Sequence, residues 1–269
     1  MPDVIVRQAR TKWLLAATPI LLLLTHYAAV LPHEFAHSTV AWLVGIKSVP
    51  GDIYWGPGSV VNILLLVDID ENVDYSAALD AGRNWQVALV AFAGPILVNG
   101  GLYVVSRLLL RTSYCAARPN FTYVLFWFYL MNAANLFCYI PLRVFPEDGD
   151  VYNFLRGTGM SPLWVYVVGG YVVLWVMFDM YRVVLPDVLR ICGFISHVER
   201  AVVLVVASAV IFGYFAIPGL LEDNNNSVLM GRTSLMAIPV ILLLTWRRIV
   251  LTDSAPAAAV ASETSRTPL

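Results

Sequence analysis

Six stretches of this chain are apolar over about the 20 residues that a helix needs to cross a bilayer. They cover roughly residues 13–45, 84–106, 121–142, 162–181, 201–221 and 233–246. Of the 269 residues, 59% are hydrophobic and 13% charged, and the mean hydropathy is +0.73. A soluble domain carries about 25% charged residues. The chain is therefore expected to be an all-α polytopic membrane protein with about six transmembrane helices. The first stretch exceeds one crossing and contains Pro32, so it should tilt, kink or run beyond the bilayer. It is too long for a signal-peptide core and is expected to be retained.

Lys and Arg residues alternate across the connections. The N-terminal tail holds Arg7, Arg10 and Lys12. The second-to-third connection holds Arg107, Arg111 and Arg118, the fourth-to-fifth Arg182, Arg190 and Arg200, and the C-terminal tail Arg247, Arg248 and Arg266. The other three connections hold Lys47 and Arg83, Arg143 and Arg156, and Arg232 alone. The positive-inside rule then puts both termini in the cytoplasm. A net charge of −1 gives no reason to expect a nucleic-acid partner. Cys115, Cys138 and Cys192 form no C-x-x-C pair and read as apolar filler.

The expected organisation is a cytoplasmic tail over residues 1–12, a core over 13–155 with three spans, three further spans over 156–251, and a small, polar, disordered tail over 252–269. Within the core, residues 46–82 do not read as a helix. They read as two extended runs about a Gly-Pro-Gly turn, followed by an acidic loop. The second run, Ser59 to Val67, is rich in Val, Ile and Leu, and a strand there has to be paired or buried in protein.

The first apolar stretch carries "LPHEFAHSTVAW", residues 31–42. Ionisable groups at membrane depth are expensive and usually functional. On a helix, His33 and His37 lie on one face, about 6 Å apart along the axis, where two imidazoles can hold one Zn²⁺. Glu34 stands beside the first of them, placed to act as general base on a metal-bound water. The bland alternative is a polar patch filling a bundle interior. His26 is about 10 Å along the axis from His33, too far to share a metal, and reads as an interior histidine or part of a polar path. His197 falls in a predicted cytoplasmic loop, on the other side.

Catalytic zinc takes three protein ligands and keeps one position open. The third ligand is expected among the carboxylates that follow the third span, in "NLFCYIPLRVFPEDGDVY", residues 135–152. Topology brings this end to the level of His33 and His37. Asp148 is the first choice, with Glu147 and Asp150 as rivals; the alternative is an ordinary acidic turn. In the second span, "AFAGPILVNG" (residues 91–100) has small residues for close helix approach, a Pro that bends or unwinds the span, and Asn99, a polar side chain that needs a partner. Taken alone, that stretch reads as packing.

Together these pieces resemble the site-2 protease family of intramembrane zinc metalloproteases, closest to its small divergent bacterial branch. The matching residues are His33-Glu34-Phe35-Ala36-His37, then Ala93-Gly94-Pro95 with Asn99, then Asn135, Pro141 and Asp148-Gly149, in the family's order and on successive spans. Glu147 stands where the family more often has Leu. The resemblance covers roughly residues 15–155. It implies that His33, His37 and Asp148 bind Zn²⁺, that Glu34 is the catalytic acid/base, and that Asn99 and Asn135 orient substrate. It also implies a membrane-associated β-segment after the first span and a location in the bacterial plasma membrane.

The expected function is thus hydrolysis of peptide bonds in or next to membrane segments, with a zinc-bound water activated by Glu34. The substrate would be a membrane protein or peptide, held extended by an exposed strand edge at residues 59–67. Two rivals stand beside it: a non-catalytic member that binds metal or substrate, and an ion transporter. Glu34 argues against the first, since a binding-only site needs no base. The clustering of polar groups in three spans, without an inverted repeat, argues against the second.

Overall fold

The computed structural model describes residues 2–252. The tail expected to be disordered lies, from residue 253 onward, outside the described residues. Six helices are long and apolar enough to cross a membrane: Val6–Leu43, Asn84–Leu109, Pro119–Leu142, Pro162–Cys192, His197–Leu221 and Asn225–Ile249. The protein is an integral, multi-pass, all-helical membrane protein. The fourth helix runs to Cys192, past the apolar stretch that announces it, and its Asp179 is buried against Arg107.

The first helix, Pro2–Leu43, has 42 residues and contains Pro19 and Pro32. At about 1.5 Å per residue it is about 63 Å long, twice the roughly 30 Å bilayer core, so part of it lies beyond the bilayer even at a strong tilt. The third helix is the central post. Its most apolar window is 83% buried, against 11% for the sixth helix. Trp127, Tyr123, Tyr129 and Phe126 fill the space around it, each fully buried. The fourth and sixth helices instead turn Trp164, Trp175, Leu243 and Leu244 outward, as lipid-facing helices do.

The segment 46–82 corrects the expectation of a β-segment. Its extended pairing is one isolated antiparallel bridge, Tyr54 to Asp70. The run expected as a strand, Ser59 to Val67, folds instead into the helix Val60–Leu65. Short apolar runs look alike as strand or helix in sequence, and here a cap decides. The Ser59 hydroxyl accepts from the Asn62 amide at the helix start, and Leu66 ends the helix with φ 51°. Asn62 then does what a ladder was expected to do. Its side-chain amide donates to the Trp55 and Pro57 carbonyls, and its oxygen accepts from Asp68 N–H. No strand edge remains over 59–67 to bind an extended peptide.

The segment folds back onto the first helix. Ile53, Leu66 and Ile69 pack on Tyr27, Val30 and Leu31, the turns just before His33. The Lys47 ammonium donates to the Asp52 and Glu71 carbonyls and ties the segment's two ends together. On the far side, the helix Gly149–Thr158 lies against the start of the second span, where Phe154 meets Phe92 with ring centroids 6.0 Å apart. These two flanks set what surrounds His33 and His37.

Candidate metal centre

His33 and His37 fall on one face of the first helix, as their four-residue spacing requires. Both are buried, at 2% and 0% exposure. Each ring is fixed by its Nδ1. His37 Nδ1 donates to the Val90 carbonyl at 2.6 Å. His33 Nδ1 donates to Asn99 Oδ1 at 2.5 Å. The Asn99 amide cannot be turned around, because its nitrogen donates to the Ala29 carbonyl and to Asn132 Oδ1. Asn132 is fixed in turn by donating to the Phe128 carbonyl at 2.8 Å. The chain from Phe128 through Asn132 and Asn99 thus sets the tautomer of His33.

With both protons on Nδ1, both Nε2 lone pairs point inward. They face each other at 3.0 Å. Asp150 closes the triangle, one carboxylate oxygen 3.2 Å from His33 Nε2 and the other 3.3 Å from His37 Nε2. Three acceptors pointing at one another repel unless a proton or a metal ion lies between them. Ligands at 2.0–2.1 Å from a tetrahedral ion lie about 3.3 Å from one another, close to the spacing here. Among the described residues, His33, His37 and Asp150 form a cluster whose ligand atoms lie within 4.8 Å of one another and can hold a metal ion.

Gly94 supplies the room. A Cβ on this residue would sit 2.2 Å from His37 Nε2 and 2.6 Å from His33 Nε2, almost the place of an ion bound to both rings. It belongs to a π-helical turn, Ala93–Gly100, in which Pro95 lacks a donor and the wider winding absorbs the lost hydrogen bond. The residues therefore fit a metal in two independent ways: converging lone pairs, and a space kept open by an absent side chain.

Glu34 Oε1 is 3.9 Å from His33 Nε2, next to the cluster without joining it. Tyr139 stacks on the His33 ring at 5.2 Å, and its hydroxyl reaches His33 Nε2 at 3.0 Å. It comes from a second π-helical turn, Cys138–Leu142, at the end of the third span. Glu71 is buried beside the site and accepts from the Tyr75 hydroxyl. Burial pushes its carboxyl up; the His37 charge and the Tyr75 bond oppose this, and the charges of Asp150 and Asp70 add to it. For Asp150, burial also pushes upward. When no metal is bound and His37 carries a second proton, its charge and the hydrogen bonds from the rings outweigh burial and hold this carboxyl well below the usual range. A divalent ion in the cluster would supply the same positive charge and leave both rings neutral.

Asp148, the first choice from sequence, is not among the converging groups. Its side chain is 65% exposed and lies 3.7 Å from Arg143 Nη2. The Asp148 and Asp150 carboxylates stand at a helix start. Asp148 is its extended N-cap residue, Gly149 follows with φ 72°, and the reversal sends Asp150 inward from the first turn. Glu147 is exposed. Arg143 anchors the outward arm, pairing with Glu222 at 3.3 Å as well as with Asp148. Asn135 is also set apart from the His33 network: its amide donates to its own helix, at the Met131 carbonyl. Asn132, one turn earlier, takes the place in the network. His26 is an interior histidine, bonded to the Leu65 carbonyl at 2.7 Å and edge-on to Tyr214.

Asn132, Tyr139 and Glu71 escaped sequence reasoning. Asn132 had a signal, since Asn99 at membrane depth demanded a polar partner on a neighbouring span. Tyr139 and Glu71 had none, being an aromatic in an apolar run and one acid among several. No known family model, curated protein or solved structure matches the chain.

Proposed function

We propose that this protein is an intramembrane zinc metalloprotease, similar to the site-2 proteases, that hydrolyses peptide bonds in or next to membrane segments. The observation that carries the proposal is the triangle of His33 Nε2, His37 Nε2 and Asp150, beside Glu34 and inside a six-span bundle. His33, His37 and Asp150 would hold the zinc, which would supply an acidified water and a Lewis acid for a peptide carbonyl.

The remaining work falls to the protein's own groups. Glu34 is close enough to take the proton of the attacking water and to return it to the leaving amine. The Tyr139 hydroxyl is a donor aimed at the same space, available to the carbonyl oxygen as charge builds there. Asn99 and Asn132 orient His33. A helix hides its carbonyls, so the substrate must unwind locally before it reaches Glu34. In this proposal both termini are cytoplasmic.

The test is metal analysis of the purified protein together with cleavage of a membrane-embedded reporter in proteoliposomes. About one zinc per chain is expected, with cleavage abolished by 1,10-phenanthroline and restored by added zinc. Ion flux with intact reporter would point to a transporter, and zinc binding with no cleavage of any membrane peptide to a binding protein. Either result overturns the proposal.

A further inference from the structure

Beside the metal cluster lies a cavity of about 170 Å³. Asp150 and Tyr139 stand in its wall, so the cavity adjoins the cluster. The rest of the wall is apolar. Phe92 and Ile96 come from the second span, Phe154 from the helix after the third, and Val165 from the start of the fourth. Phe92 and Ile96 are each 38% exposed, so the cavity is not sealed behind the second span.

Being open beside the second span, the space can admit a group from outside the bundle. Water is a poor occupant, since it needs two to four polar partners and Asp150 and Tyr139 are the only polar residues in this wall. About 150 Å³ is enough to hold a benzene-sized ring. A peptide whose carbonyl sits at the His33–His37–Asp150 cluster must place a neighbouring side chain within a few ångströms of it. The geometry points to this cavity as a side-chain subsite, taking one large apolar residue, of phenylalanine or leucine size, next to the scissile bond. It rests on the metal-centre proposal above and adds a substrate class to it: segments with a bulky apolar residue at the cut.

The test uses the full-length, zinc-loaded protein and two chelators. Acetohydroxamate offers a metal-binding head with no side chain, and 3-phenylpropanohydroxamate adds a phenyl group. Wild type is expected to bind the phenyl compound about 10- to 100-fold more tightly, the effect of fully burying one such side chain. Val165→Phe, which fills the cavity from the fourth span, should bring that ratio close to one. Acetohydroxamate affinity and zinc content should stay as in wild type. Ile96→Phe fills it from the second span and repeats the test should Val165→Phe not fold. Equal affinities in wild type, or a ratio that survives both fillings, overturn the subsite and leave the cavity to a lipid chain. A wild type that holds no zinc and binds neither compound overturns the metal centre itself, and the subsite with it.

Discussion

Two groups of buried charged side chains link neighbouring spans, and they are built in opposite ways. Farther along the second span, Arg107 grips Asp179 of the fourth with two parallel hydrogen bonds, 2.5 Å from Nε and 2.8 Å from Nη2. Donors meet acceptors, the charges cancel, and nothing more is needed. Around His33 the arrangement is open. Two nitrogen lone pairs and a carboxylate converge, the Tyr139 hydroxyl reaches only one of the two nitrogens, and the donors of both rings are committed elsewhere. A buried charge has to be paired or bound to a metal. The first group meets that requirement from within the chain, and the second needs an added proton or can hold a metal ion. Burial of charge therefore does not by itself mark a site; the direction of the lone pairs does.

The contrast can be broken first at the open group. Asp150→Asn removes its only anion, and Gly94→Ala puts a methyl group where the ion would sit. Each should reduce zinc affinity by more than the roughly 10- to 100-fold expected for loss of an outer partner. Asp148→Asn, two residues from Asp150 but facing solvent, should leave it as in wild type. Metal analysis after dialysis reads all three, and the opposite ranking of Asp148 and Asp150 would return the ligand role to Asp148.

Glu34→Gln separates chemistry from binding. Zinc content should be unchanged while reporter cleavage falls by about 10²- to 10⁴-fold, the size of a general-base contribution. Cleavage at the wild-type rate would make Glu34 structural.

The closed pair should behave as architecture. Arg107→Leu alone leaves Asp179 buried without a partner and should destabilise the bundle by about 3–5 kcal/mol. Arg107→Leu with Asp179→Leu should recover most of that loss, since replacing a whole buried pair by apolar residues is often neutral. Zinc per folded molecule should not change in either. If the double variant keeps its fold but loses zinc or activity, the pair has a part in function that its geometry does not suggest. The smallest effect belongs to the network behind His33: Asn99→Ala should weaken zinc by about 10- to 100-fold, and Asn135→Ala should do less.

How much of this was legible in the sequence differs from residue to residue. The six spans follow from composition, because a bilayer leaves a long apolar segment few alternatives to a helix. His33, Glu34 and His37 are legible for a local reason. Helix geometry converts a spacing of four into a shared face, wherever the helix goes. Asn99 announced itself as a buried amide in need of a partner. All these inferences use contacts within one helix or the solvent around it.

The remainder depends on contacts between segments, and only the tertiary structure decides those. Asp148 and Asp150 are equivalent carboxylates in sequence. They part because Gly149 takes a positive φ, the helix Gly149–Thr158 lies on the second span, and Arg143 holds Asp148 outside. The run over 59–67 is equally apolar as strand or helix, and the Ser59 cap and the Asn62 staples made it a helix. Gly94 shows the division most plainly. In sequence it is one more small residue for helix packing; in the folded protein, the absence of its side chain is what leaves an ion's width between two histidine rings.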